Sequence, residues 1–347
     1  MDSNTIKDLN TSFDLSPTVG EVGNTRESFP FSPTAIGVAV GNGFVKASDG
    51  TTDLCVRSQA LEHHPQFLSA SDDLLLLEAV ESPCLIGQLC IGTGLDASPG
   101  VISLANGLKG KYYAAFALAA VARLVDNGAF INLAVSLPSK AMEPMLAPLR
   151  DSHTVLINGK RKHFVIDQIR TFPEGLGTAM RMRELRASRS AVVPSFAALD
   201  FGHGNTTVVA IDGAGNCSGF GNTPTGVGAL FEEIAQTLSG KTGGIPPTVD
   251  AVRLGVQLGT FCLNGHGSIS FVNEYDAALQ TWTKARLQEL HGQCSQLLDR
   301  AEAKVVCGGG DNLPGLMELM HNGYAKATAP QNLEAQGLQR FARAIHC

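Results

Sequence analysis

Aromatic residues make up only 6% of the 347-residue chain and Trp occurs once, so its core must be built from aliphatic side chains. Charged residues are also sparse at 17%, and the formal net charge is -6. A chain of that sign has no basic face to neutralise a phosphate backbone, which excludes direct wrapping of nucleic acid and leaves a DNA role only through a partner. None of the eight cysteines falls in a CxxC pair, and the nine histidines form neither HExxH nor a His/Cys group of ligand spacing, so no structural metal is expected. Several cysteines lie in apolar, strand-like runs, as buried free thiols do, which points to a reducing cytoplasm. The most apolar stretch, Tyr112 to Val125, is broken by Arg123 and falls short of the roughly 20 residues that span a bilayer. It reads as a buried helix. Met1 to about Pro33 lacks an apolar h-region and is rich in Ser, Thr, Asn and acidic residues, so a flexible tail is expected there rather than a signal or anchor.

Hydrophobic residues at 44% exclude disorder of the whole chain, and its length suits two cores, since a single core seldom exceeds roughly 250–300 residues. Ile36 to Val40 is an apolar run that ends in Gly41-Asn42-Gly43 and resumes from Phe44 to Ala47. Asn-Gly supplies the positive φ angles of a tight turn, so the pair reads as a hairpin, with Thr52 to Arg57 as a third strand. A less regular stretch follows. Beyond it the pattern predicts a strand at Leu85 to Ile91, an Ala-rich helix at Lys111 to Asp126 and a buried strand at Phe130 to Leu137. Two more strands, Val155 to Ile157 and His163 to Thr171, turn at Asn158-Gly159. Pro173 is expected to open a helix with Glu174 in its first turn. Near Val192-Val193-Pro194 the pattern restarts: strand Phe196 to Phe201, turn Gly202-His203-Gly204-Asn205, strand Thr206 to Ile211. This repeats the opening hairpin, as a duplicated fold would. A helix from Trp282 to Ala303, a strand from Lys304 to Cys307, Gly308-Gly309-Gly310, a helix from Asn312 and a last helix from Leu333 to Ile345 complete the chain.

Glycine between two strands lets backbone N–H groups approach an anion with no Cβ in the way, and turned N–H groups form a concave anion site. Taken alone, Asn42-Gly43 and His203-Gly204 are equally ordinary hairpin turns. Together they gain meaning, because Lys46 follows the first, Asp200 precedes the second, and the triple glycine follows a later strand. Each third of the chain then holds one piece of a phosphate and nucleoside cradle. Ser239-Gly240-Lys241-Thr242 ends like a P-loop, but Ala235 stands where the first Gly belongs, and the first turn has Lys46 where a dinucleotide fingerprint needs Gly.

Ile36 to Lys46 is similar to the first phosphate motif of the actin and sugar-kinase superfamily, Leu199 to Thr207 to the second, and Val305 to Gly310 to the adenosine motif. Ala134 to Pro138 looks like the first connecting segment. Phe172 to Gly177 resembles the Pro-Glu-Gly stretch, and Pro330 to Leu338 the closing helix, of the plasmid-segregation actins of the ParM type. The match runs in order from about Thr34 to Ala344. It implies an α/β, actin-like (ribonuclease H-like) duplicated fold with a nucleotide cleft: domain I from 34–195 plus 325–347, domain II from 196–324, after the tail at 1–33.

By the same resemblance, Gly41, Asn42 and Gly43 with Lys46, and Gly202, His203, Gly204, Asn205 and Thr206, bind the phosphates of ATP, with GTP possible. Asp200 holds Mg²⁺ through water and Glu174 orients the attacking water. Gly308, Gly309 and Gly310 pass beneath the adenosine, and Thr225 to Glu233, including Glu232, flanks it. Read without the resemblance, Glu174 is equally a first-turn acid favoured by the helix dipole. Two positions depart from the family: Ala39 stands where an Asp is usual, and Thr207 where Asp is frequent. Slow hydrolysis, or binding without it, follows as an expectation. Two functions are compatible with the sequence. One is a filament-forming, ATP-dependent cytoplasmic protein that moves DNA through a DNA-binding adaptor, with no direct nucleic-acid or membrane contact; the other is a non-polymerising ATP-binding sensor or scaffold. No catalytic Asp of a sugar-kinase type is found.

Overall fold

The computed structural model describes residues 33–62, 74–85, 87–92, 101–104, 109–187, 195–214, 216–320, 323–327 and 331–346. The expected tail, apart from Pro33, and the restart at 192–194 lie outside them.

Strand β1 (Thr34–Val40) turns at Gly41–Gly43 into β2 (Phe44–Ser48), and β3 (Asp53–Arg57) continues the antiparallel meander. β4 (Gln59–Leu61), β5 (Leu74–Glu81), β6 (Gln88–Gly92) and β7 (Ile102–Ser103) precede helix α1 (Lys109–Leu124), followed by β8 (Ala129–Leu137), β9 (Ser152–Ile157), β10 (Lys160–Pro173) and helix α2 (Leu176–Ala187). These strands form one ten-stranded sheet in the order β3-β2-β1-β8-β10-β9-β5-β6-β4-β7. β1 and β8 are apolar almost throughout because both faces are covered, α1 lying on one and the C-terminal helix α7 (Leu333–Arg343) on the other.

A second meander, β11 (Phe196–Phe201), β12 (Thr206–Ile211) and β13 (Cys217–Thr223), is followed by helices α3 (Val227–Thr237), α4 (Val249–Gln257) and α5 (Val272–Arg300). The strand β14 (Ala303–Cys307), the short helix α6 (Leu316–Leu319) and β15 (Tyr324–Lys326) then complete a five-stranded sheet, β13-β12-β11-β14-β15. Its antiparallel hairpin, third meander strand and two parallel partners repeat β3-β2-β1-β8-β10 strand for strand and direction for direction. The duplication expected from the two glycine turns is therefore present, and the fold is an actin-like pair of α/β units.

Each unit has its own hydrophobic core, aliphatic in Ile36, Val38, Leu118 and Leu133 of the first, and joined by the aromatic Phe271 and Trp282 beside Leu199 and Leu230 in the second. Between the sheets lie α2 and α7. Leu176 and Ala179 pack on β11 and β12, while Leu338 and Ala342 pack on Ala39 and Ala134. The two helices meet almost backbone to backbone: a Cβ on Gly337 would stand 1.9 Å from the Gly177 carbonyl oxygen, so no larger residue fits this crossing.

Three local expectations need correction. Pro173 does not open a helix; it is the last residue of β10, paired with Leu137, and Gly175 at φ +91° breaks the chain before α2 begins at Leu176. Glu174 thus sits in the turn between strand and helix, with its N–H bonded to Leu137 O at 3.1 Å. The stretch read as irregular contains β5, which joins β9 to β6. The expected division at 324/325 cuts β15, which pairs with β14 of the second sheet.

Candidate functional site

The C-terminal ends of the central parallel strands converge on a cavity of about 520 Å³ between the two units, within the usual size range of small-ligand sites. Its walls include Asn42, Gly43, Lys46, Glu174, Asp200 and His203.

The first turn is held by its own unit. Gly41 N–H donates to Phe44 O at 2.9 Å, Ser58 Oγ donates to Gly41 O at 2.6 Å, and Ser58 N–H and Arg57 Nη1 both donate to Gly43 O. The second turn is held by the start of α3, where Val227 N–H donates to Gly202 O at 2.9 Å and Gly228 N–H to His203 O at 2.8 Å. The turns touch each other. A Cβ on Gly204 would lie 2.1 Å from Asn42 Nδ2, and one on Gly43 would lie 2.9 Å from the Cβ of His203. Only glycines allow the two loops to close to this distance, which is what gripping one polyphosphate from both sides requires.

Glu174 is fixed from both units: Lys109 Nζ, at the start of α1, donates to Oε1 at 2.6 Å, and Asn205 Nδ2, from the second turn, donates to Oε2 at 3.1 Å. Asp200 is the penultimate residue of β11, just before the second turn, where burial pushes its carboxyl above the ordinary range and the Lys46 charge opposes the shift. Gly308, at φ +81°, lets β14 pass close by, since a Cβ there would fall 1.8 Å from Asp200 Oδ1. Burial and the neighbouring Arg57 guanidinium lower the pKa of His203 to about 4, so its ring is neutral at pH 7 and acts as a hydrogen-bonding group rather than a cation.

Not every expected residue reaches the cavity. α3 turns Val227 and Phe231 inward, one helical turn apart, and leaves Glu232 exposed on another face. Thr206 is buried with its hydroxyl donating to Thr225 O at 2.9 Å, and of the triple glycine Gly309 lines the cavity. Five residues that the sequence patterns did not single out belong to the site. Lys109 pairs with Glu174, Arg57 pairs with Asp250 across the mouth, Arg253 joins Asp250 from within α4, and Glu334 of α7 lines the inner wall. Apart from the Arg253–Asp250 pair, three positions apart on α4, these contacts span long stretches of chain, so no local spacing marks them.

The donor set is carboxylate oxygen, which suits Mg²⁺ rather than a softer ion. Among the described residues no three His, Cys, Asp or Glu side chains stand close enough together to hold a metal ion directly. Also among the described residues, no helix is long and apolar enough to cross a membrane.

Residues 37–177 match the family model for the N-terminal domain of actin like proteins. No curated protein matches the chain. Among solved structures, the chain is similar to the subunit of a 15-stranded ParM filament from Clostridium botulinum, with TM-score 0.76 and 14% identity over 91% of this chain and 100% of that one. It is similar to an archaeal actin homolog in complex with ADP, with TM-score 0.68 and 17% identity over 89% of this chain and 99% of that one. It also resembles ParM from Bacillus thuringiensis with ADP, with TM-score 0.62 and 14% identity over 91% of this chain and 99% of that one.

Proposed function

We propose, from this actin-like, ParM-like fold, that the chain binds ATP with Mg²⁺ in the cleft between its two units and assembles into filaments in a nucleotide-dependent manner. The single observation that carries the reading is the apposition of the two glycine turns, Asn42 against Gly204, over a cavity that also presents Lys46, Glu174 and Asp200. Backbone donors from both turns would hold the β- and γ-phosphates, with Lys46 adding charge. Asp200 would hold Mg²⁺ through water, and the ion would supply charge neutralisation on the phosphates. Glu174, aimed by Lys109 and Asn205, would accept a hydrogen bond from the attacking water and orient it. Val227, Phe231 and Leu313 would enclose the nucleoside with Gly309. By analogy with the ParM filament, assembly would serve to move DNA through an adaptor in the cytoplasm, since the net charge of -6 does not favour direct contact with DNA.

Ala39 on the cavity wall favours a second reading, a non-polymerising ATP-binding scaffold with little turnover, because a carboxylate there would have helped to order water near the ion. Sedimentation with ATP, with a non-hydrolysable analogue and without nucleotide, in Mg²⁺ and with phosphate release followed in the same tubes, separates the two. Nucleotide-dependent pelleting is the expected result. Binding of ATP without pelleting under any condition would replace the filament with the scaffold.

A further inference from the structure

Glu334 is a carboxylate in the wall of the cleft, one turn before Leu338 on the face of α7 that covers Ala39. It is only 5% exposed, and its position is fixed by the start of α2: Gly175 N–H donates to Oε1 at 3.1 Å and Thr178 N–H to Oε2 at 2.7 Å. The Thr178 side chain adds a third hydrogen bond, which leaves one of the carboxylate's four lone-pair positions beyond these bonds. Burial raises its pKa to about 7, and the charge of Asp200, which lines the same cavity, acts in the same direction. Among the described residues neither forms an ion pair, whereas Glu174, on the same wall, is neutralised by Lys109. The inner end therefore carries two recessed carboxylates, Asp200 with the Lys46 charge acting on it and Glu334 with no ion-pair partner among the described residues, and Ala39 lines the same cavity. A helix cap alone needs no carboxylate here, because a neutral oxygen satisfies backbone N–H groups at less desolvation cost.

We infer that Glu334 and Asp200 together order the water shell of the divalent cation that enters with the nucleotide, Glu334 being the second outer carboxylate of the site. The inference rests on the nucleotide reading above. It makes Glu334 a positioning residue, acting on the ion through water.

The test is the gain in ATP affinity that Mg²⁺ produces, measured by titration calorimetry on the full chain with and without the ion. In Glu334→Gln the gain is expected to fall by about tenfold, the lower end of what removing an outer-shell partner costs, while binding without Mg²⁺ changes little. An unchanged gain in a folded Glu334→Gln protein would overturn the inference and leave Glu334 a cap. Ala39→Asp, which leaves Glu334 in place, gives an answer even if the first variant does not fold. The inference expects no increase in the Mg²⁺-linked gain, because the outer carboxylates are already two; a tenfold increase would contradict it. Absence of ATP binding by the natural chain would instead remove the nucleotide reading itself.

Discussion

Arg57 of the first unit donates through Nη2 to Asp250 Oδ1 of the second at 2.6 Å, while its Nη1 donates to Gly43 O in the first glycine turn. Gln59 Nε2 adds a bond to Asp250 Oδ2 at 2.8 Å, and Arg253 approaches the same carboxylate from within α4. One side chain of α4 thus gathers three donors, two of them from the opposite unit, and closes the mouth of the cleft.

Asp250→Asn removes the charge that these guanidiniums share, with Arg57 and Arg253 both nearly buried. Breaking one partner of a desolvated pair costs about 2–5 kcal/mol; the lower end is expected here because Asp250 is 21% exposed. The latch joins two units that each keep their own core, so the loss should appear as opening of the cleft. Hydrogen exchange is expected to rise in β3, β4 and α4 while the cores stay protected. Uniform loss of protection across both sheets would refute a latch role.

The contact of the two turns gives a sharper variant. Gly204→Ala places a methyl group where Asn42 Nδ2 now lies, and Gly204 does not have a positive φ, so the backbone tolerates the change. Asn42 can swing away at a stability cost of roughly 1 kcal/mol or less, but the turns then part. ATP affinity should drop by about tenfold or more, which at about 1.4 kcal/mol per decade is one to two lost phosphate contacts. Equal affinity in the two proteins would show that the apposition does not bind phosphate.

Glu174→Gln keeps the shape of the side chain and removes the acceptor charge beside Lys109. Phosphate release is expected to fall by about 100-fold, within the range of a positioned acid–base group, with ATP binding retained. Loss of binding and turnover together would point to a structural role for the Lys109–Glu174 pair.

The two glycine turns, the strands that flank them and the repeated hairpin were legible because each is local: Asn42-Gly43 and Gly202–Asn205 interrupt largely apolar runs. Glu174 was found, but its helix was started too early, because Pro173 is as acceptable at the end of a strand as at the first position of a helix. Gly175 carried the deciding signal. Helix α3 lines the cavity through Val227 and Phe231, yet Glu232 falls 100° around from Phe231 and faces outward, a rotation that only packing fixes. Lys109, Asp250 and Glu334 have no local motif; each acts on residues 65 to 193 positions away. β5 was missed because its four leucines give way to Glu78 and Glu81 without the alternation of a half-buried strand.

The pH dependence of stability carries opposite signs at two groups. His203 is held near pKa 4, below its ordinary value, so the unfolded chain binds the extra proton and stability, full above about pH 6.5, is lost as pH falls toward 4. Glu334, raised to about 7, favours the folded state most at low pH and loses that contribution as pH rises from about 4.5 through 7. Denaturant midpoints of His203→Gln should therefore fall less than those of the natural chain between pH 6.5 and 4.5. A parallel decline in both proteins would show that His203 does not contribute.

The most direct test of the nucleotide cleft is calorimetric titration of the purified chain with ATP in Mg²⁺, alongside the Gly204→Ala variant. One ATP bound per chain, weakened by the added methyl group, is the predicted result. No heat of binding at millimolar ATP, or binding that ignores the substitution, would contradict the account.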